Sequence, residues 1–220
     1  MTEKGLFPTP PLKSMFAFRK HAMSFFCHAN ALTAFAAAAL ILPGTCAAGS
    51  GDANTIAETF SRSKDSIVLV GASKGKGQNL GSGFVVHPDG YILTNFHVPS
   101  RSRSIYVKFA NGRIYKGATV VRSDYDKDLA LLKVGTRGLR PLTLGDSDAV
   151  VTGQRVFTIG NPLGLEYTVS DGLVSSIRTT DKGKKFLQIS VPLSNGSSGG
   201  PLFDMDGKVI GVAVGSNTQG

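Results

Sequence analysis

An all-β fold of the barrel or sandwich kind is what this sequence predicts, and three observations predict it. Short β-branched and aromatic runs recur along the chain, six in its first half and five in its second. Strong turn signals, Pro88-Asp89-Gly90 and Asn111-Gly112, stand between extended segments. The 220 residues include 27 glycines and 10 prolines, a turn-rich composition, and 41% of them are hydrophobic, enough for a packed core.

The chain opens on an export signal over residues 1–47. Lys13, Arg19, Lys20 and His21 precede an apolar block from Ala31 to Leu42, then Pro43-Gly44 and the small residues Thr45-Cys46-Ala47-Ala48. That block is shorter than the roughly 20 residues a membrane-spanning helix needs, so cleavage after Ala47 or Ala48 is expected over a permanent anchor. Met15 or Met23 would each begin a signal of more ordinary length. In a second reading Cys46 is lipidated after cleavage, although Pro43-Gly44-Thr45 matches poorly the aliphatic-then-small run such a site uses. Either way the sequence predicts a periplasmic or secreted protein, touching the membrane only through this segment or an anchor at Cys46. Cys27 and Cys46 are the two cysteines. The mature domain therefore holds neither a disulfide nor a thiolate metal site.

Residues 48–54 read as a flexible linker, and Thr55-Ile56-Ala57-Glu58-Thr59-Phe60 as a short amphipathic helix with Asn54 placed to cap it. Strands are expected at Ile67–Val70, Gly81–Val86, Tyr91–Thr94, Ile105–Phe109, Tyr115–Val121 and Ala130–Val134. Residues 135–150 carry Gly135, Gly138, Pro141, Gly145 and Asp146 and read as a connection, dividing the domain of 55–220 into halves at 55–140 and 141–220. The second half offers Val156–Ile159, Thr168–Ile177, Phe186–Val191, Pro201–Phe203 and Val209–Val214. Ser216 to Gly220 read as a hairpin loop with nothing after it. The count of five against six thus predicts a second barrel without its closing strand.

The formal charge is +9, from 24 Lys and Arg against 15 Asp and Glu; outside the signal the counts are 20 against 14. The excess sits in loops, at Lys74/Lys76, Arg101/Arg103 and Lys182/Lys184/Lys185, with no interleaved aromatic platform. These read as solvated charges, and no nucleic-acid partner is expected.

Chemistry concentrates in Asn195-Gly196-Ser197-Ser198-Gly199-Gly200-Pro201-Leu202. A serine becomes a nucleophile when a base takes its proton and nearby N–H groups hold the oxyanion that forms. Glycines around Ser198 leave room for a substrate carbonyl to lie against the main chain, with the N–H groups of Gly196 and Ser198 aimed at one spot. The base must titrate near neutral pH. Of the four histidines, His21 and His28 lie in the signal and His87 precedes Pro88 in a turn. His97, delivered by the apolar strand of Gly90-Tyr91-Ile92-Leu93-Thr94, is the candidate. Asp128, opening Asp128-Leu129-Ala130-Leu131-Leu132, is the carboxylate expected to orient it. A buried carboxylate at such a place is costly without a donor partner.

These residues carry a resemblance. Gly81-Ser82-Gly83-Phe84-Val85-Val86 through Thr94-Asn95 and His97, then Asp128 to Val134, then Ser198-Gly199-Gly200-Pro201-Leu202 and Gly207-Lys208-Val209-Ile210-Gly211 resemble the HtrA/Deg family of trypsin-fold serine proteases. The order His, Asp, Ser, at separations of 31 and 70 positions, matches the chymotrypsin-type triad. The resemblance implies two perpendicular six-stranded β-barrels, with His97 and Asp128 from the first and Ser198 from the second meeting in the cleft between them. Gly160-Asn161-Pro162-Leu163-Gly164 and Val169 to Ser175 are similar to loops beside that cleft. The specificity pocket is implied to be floored by Pro192 and Leu193 beside Val212, Ala213 and Val214, favouring Val, Ala, Ile or Leu before the cut. Unfolded or misfolded envelope polypeptides are the implied substrates, a homotrimer the usual assembly, and no metal or cofactor is called for. Two departures stand out. Ser197 occupies a place where the family usually has Asn, and Asn195-Gly196 replaces a commoner basic residue plus Gly. The PDZ domains that usually follow have no counterpart within these residues. A different reading makes the chain a non-catalytic chaperone or peptide-holding module on a protease fold, since function resides in sites and not folds. The complete set of His97, Asp128 and Ser198 argues against it.

Overall fold

The computed structural model describes residues 51–74, 77–160, 167–180, 183–194 and 196–215. The export signal, Cys46, the 161–164 loop, Asn195 and the 216–220 segment lie outside the described residues. The fold begins with helix α1, Gly51–Ser63, which starts inside the stretch expected to be linker. Asn54 is therefore an interior helical position and not a cap. What fixes the helix is packing: Ile56 and Phe60, four residues apart, pack against a buried cluster of the domain. A single 3₁₀ turn, Lys64–Ser66, ends it, with the Ser66 hydroxyl donating to the Arg140 carbonyl at 2.6 Å.

Among the described residues, two antiparallel sheets follow. The first joins β1 (Ile67–Lys74), β2 (Gly77–His87), β3 (Tyr91–Asn95), β4 (Ser104–Phe109), β5 (Ile114–Lys116), β6 (Thr119–Asp124) and β7 (Leu129–Lys133) in the order β5-β4-β1-β2-β3-β7-β6. The run expected as one strand, Tyr115–Val121, is broken at Gly117-Ala118 into β5 and β6. That break curls the sheet: β5 pairs with β4, β6 pairs with β7, and the Ala118 N–H between them donates to the Ile105 carbonyl at 3.0 Å. One sequence run thus supplies both edges of the seven-stranded sheet, and the six expected runs form a curled half-barrel.

The second sheet joins β8 (Arg155–Gly160), β9 (Thr168–Thr179), β10 (Lys185–Ile189), β11 (Pro201–Asp204) and β12 (Val209–Val212) in the order β10-β9-β8-β11-β12. All five expected runs are present, with β12 ending at Val212 rather than Val214.

Among the described residues, three clusters fill the interior. Val68, Val70, Val85, Ile92, Val107 and Leu132 occupy the first curl. Val150, Val156, Val174, Leu202 and Ile210 occupy the second. Ile67, Phe84, Phe157, Ile159 and Phe203 join the two, with the rings of Phe157 and Phe203 stacked at 5.1 Å. In β1 and β2 successive residues enter different clusters: Ile67 and Phe84 face the second sheet, Val68 and Val85 the first. Both faces being buried explains why Ile67-Val68-Leu69-Val70 is continuously apolar where a half-exposed strand would alternate. Each such fully buried side chain stabilises by about 1.5–3 kcal/mol. This double-sided wall holds the two sheets at one fixed junction.

Tyr167 ties the junction to α1. Its ring meets Phe60 edge-on at 6.0 Å and its hydroxyl donates to the Ile67 carbonyl at 3.1 Å. Burial, with the Asp65 carboxylate adding to it, pushes the phenol up to about 12 from its ordinary 10.0. The fold prefers the neutral phenol, so this contribution is intact below pH ~10 and is lost as pH climbs toward ~12. Replacing Tyr167 with Phe is expected to lower stability by about 1 kcal/mol at pH 8. Urea unfolding of both proteins at pH 8 and 11 checks this, the gap narrowing at the higher pH.

Candidate active site

The histidine and the aspartate are brought together by strand register. β3 pairs antiparallel with β7 so that Asn95 lies opposite Leu129. Continuing β3 by two residues reaches His97, and stepping back one residue from β7 reaches Asp128, so both emerge at the same end of the pair. The Asp128 carbonyl fixes the junction, accepting the Phe96 N–H and the Asn95 side-chain amide, each at 3.0 Å. Asp128 itself adopts a left-handed backbone with φ 52°, which Asp tolerates better than most residues. Its Oδ1 accepts the His97 backbone N–H at 3.0 Å, and its Oδ2 lies 2.7 Å from His97 Nδ1. An ionised carboxylate can only accept, so Nδ1 carries the hydrogen and Nε2 is left as the acceptor, the tautomer a general base needs.

Ser198 comes from the turn preceding β11 and is 8% exposed. The turn is bonded on several sides: Gly200 N–H donates to the Ser197 carbonyl at 3.0 Å, Gly199 N–H to the Ala213 carbonyl at 2.9 Å, and Ser82 N–H to the Ser198 carbonyl at 2.7 Å. The last bond crosses from the first sheet to the second. Close approach makes it possible, since a Cβ on Gly81 would come within 2.7 Å of Val98 Cγ2 and 2.9 Å of the Ser198 carbonyl. Val98 follows His97 directly, so the histidine loop and the serine turn meet over Gly81.

Ser198 Oγ accepts the Gly215 N–H at 3.0 Å, which leaves its own hydrogen available for donation. Among the described residues no hydrogen bond joins Ser198 to His97. Nor does the N–H of Gly196 or of Ser198 donate to any described residue. Ser197 is turned away from Ser198: its Oγ accepts the Ser194 N–H and lies 3.2 Å from Ser194 Oγ, while its own N–H donates to the Ser194 carbonyl at 2.9 Å. The side chain that stands where Asn is usual thus braces the turn from within.

The residues assigned to the specificity pocket lie on two segments flanking the serine. Ala213, buried, is bonded to Gly199 and Gly200, and Val214 beside it is half exposed. Val212 packs partly against the junction cluster, Leu193 against the second-sheet cluster, and Pro192 is exposed. A separate cleft of about 990 Å³ opens against His97 and Asp128 and is lined also by Phe96, Tyr125 and Lys184. Lys184, one of the loop lysines read as a solvated charge, reaches from the β9–β10 turn to Asp126 at 2.8 Å.

The trypsin-like peptidase domain model matches residues 81–212, a span that contains His97, Asp128 and Ser198. The chain belongs to the trypsin-like peptidase family. Its relatives are HtrA-type proteins, as the motifs implied. It is similar to a probable periplasmic serine endoprotease, DegP-like, of Halomonas elongata, 45% identical over 138 residues, or 61% of this chain and 29% of that protein. A protein of the same description from Marinomonas sp. is 42% identical over 142 residues, covering 63% and 30%. This chain thus spans under a third of the length of those curated relatives. Among solved structures, the HtrA-type protease AlgW with a tripeptide superposes with a TM-score of 0.66 at 35% identity, over 71% of this chain and 53% of that one. Deg5 superposes with a TM-score of 0.65 at 34% identity, over 73% and 84%. Within this family, the position of Ser82 against the serine turn is the contact that sequence reasoning missed. The available signal was a lone hydroxyl between two glycines, Gly81-Ser82-Gly83, just before the apolar run Phe84-Val85-Val86.

Proposed function

We propose that this chain is a serine endopeptidase that cuts unfolded or misfolded polypeptides in the periplasm. The observation that carries the reading is the His97–Asp128 pair, with Nδ1 held by Oδ2 at 2.7 Å and Nε2 left as acceptor, beside the Ser198 turn. In this reading Ser198 Oγ attacks the scissile carbonyl while His97 takes its proton. The acyl-enzyme forms as His97 returns that proton to the leaving amine, and water then repeats the sequence to release the acid. Asp128 holds the imidazole and stabilises its charged form. The N–H groups of Gly196 and Ser198 receive the oxyanion. The periplasmic address is supported by the names of the relatives and by the export signal read in residues 1–47. Homotrimer assembly and an anchor at Cys46 belong to the same proposal.

Specificity follows from the pocket. Pro192, Leu193, Val212, Ala213 and Val214 offer no carboxylate, so a Lys or Arg side chain would enter with its charge unpaired, at a cost of several kcal/mol. Incubating the protein with unfolded casein and mapping the cuts by mass spectrometry should show Val, Ala, Ile or Leu before each cut. Cuts after Lys and Arg would overturn the pocket, and intact casein would overturn the endopeptidase.

A further inference from the structure

Ser82 touches the serine turn at two places, and its own position is held from a third. Its Oγ donates to the Gly196 carbonyl at 2.7 Å, its N–H donates to the Ser198 carbonyl at 2.7 Å, and its carbonyl accepts the Thr94 hydroxyl at 2.7 Å. The side chain is 0% exposed, in the middle of β2. A hydroxyl buried so completely is retained at a free-energy cost unless its hydrogen bond is made, and this one is made to the segment that carries the nucleophile.

The geometry of those bonds bears on the oxyanion site. Peptide groups are planar, so holding a carbonyl also holds the plane to which it belongs. The Gly196 carbonyl lies in the plane linking residues 196 and 197, and the Ser198 carbonyl in the plane linking 198 and 199. Between them is the plane linking 197 and 198, which carries the Ser198 N–H. Ser82 therefore pins both neighbours of the plane whose N–H must aim at the oxyanion. Gly196 has φ +98°, a conformation that its missing side chain permits but does not enforce. Its orientation depends on contacts from outside the turn, and the Ser82 hydroxyl is one such contact.

On these grounds we infer that Ser82 is a positioning residue for the oxyanion site, holding the N–H groups of Gly196 and Ser198 in register from the opposite sheet. The inference rests on the serine-endopeptidase reading and deepens it. Ser82 acts through the turn and touches no substrate, so its loss should weaken the transition state and leave ground-state binding alone. Deleting an oxyanion donor outright lowers kcat by about 10²–10³-fold. Loosening two donors without deleting either should cost less, about 10- to 100-fold.

The test compares wild type, Ser82→Ala and Ser82→Cys on a peptide amide substrate, with a peptide boronate as tetrahedral mimic and a fluorophosphonate probe reporting Ser198. Ser82→Ala is expected to melt cooperatively and to keep KM within about twofold while kcat falls about 10- to 100-fold. Boronate affinity should fall by the same factor. Ser82→Cys, similar in size and a weak donor, should lie between, and it decides the matter if the alanine variant does not fold. Unchanged kcat, or a fall in kcat with boronate affinity preserved, would overturn the positioning role. Wild-type protein that fails to label at Ser198 would instead bring down the endopeptidase reading, and the positioning role with it.

Discussion

Replacing Ser198 with Ala is expected to lower kcat on a peptide substrate by about 10⁴-fold or more while the protein still folds. The substitution removes one oxygen, and that oxygen has one partner among the described residues, the Gly215 N–H at 3.0 Å. The carbonyl of Ser198, which takes the Ser82 N–H, is untouched, so the contact between the two sheets persists. Structure and chemistry are therefore separable at this position. The Ser198 N–H is also kept, so residual turnover from the oxyanion site and substrate binding should remain measurable. The checks are hydrolysis of a peptide substrate, fluorophosphonate labelling and a thermal melt on the same preparation. A Ser198→Ala protein that cleaves at the wild-type rate would remove the nucleophile assignment. Ser197→Ala is the companion control. Its Oγ is engaged with Ser194, so its loss should relax the turn and leave labelling at Ser198 intact.

What the sequence made readable here is local, and what it hid is not. The β3 and β7 runs were legible because Tyr91–Thr94 and Ala130–Val134 are mainly apolar and bounded by turn residues, and His97 and Asp128 stand near their ends. The meeting of those ends follows from one antiparallel register. The start of α1 was hidden because Gly51, Asp52 and Asn54 are weak helix formers, and packing of Ile56 and Phe60 decides the element. The division of Tyr115–Val121 into β5 and β6 was hidden for a related reason. A single run pairing with two different partners is a property of sheet closure, which no window of sequence contains. The bond from Ser82 Oγ to Gly196 spans 114 positions, and composition around Ser82 says nothing about its partner. Ser198, by contrast, was marked by glycines that any close approach to a backbone requires.

Replacing Asp128 with Asn is expected to lower kcat by about 10⁴-fold, nearly as much as losing the nucleophile, although the change is isosteric. Asp128 makes two bonds to one residue, Oδ1 to the His97 backbone N–H and Oδ2 to Nδ1. An asparagine can keep the first with its carbonyl oxygen. Its amide nitrogen then faces Nδ1 and can only donate there, so the imidazole must shift its hydrogen to Nε2. In the proposed mechanism Nε2 accepts the Ser198 proton, and in that tautomer it cannot. The backbone at 128 should be undisturbed, because its carbonyl still takes the Phe96 and Asn95 donors and Asn is at ease with φ 52°. Loss of activity with an unchanged melt is thus the expected pair of results. Activity of the Asn protein should rise again at alkaline pH, where hydroxide can substitute for the missing base in deprotonating Ser198. Asp128→Ala separates tautomer from mere absence, since it removes the orienting group without imposing the wrong hydrogen. A kcat within tenfold of wild type in Asp128→Asn would show that Asp128 does not set the tautomer of His97.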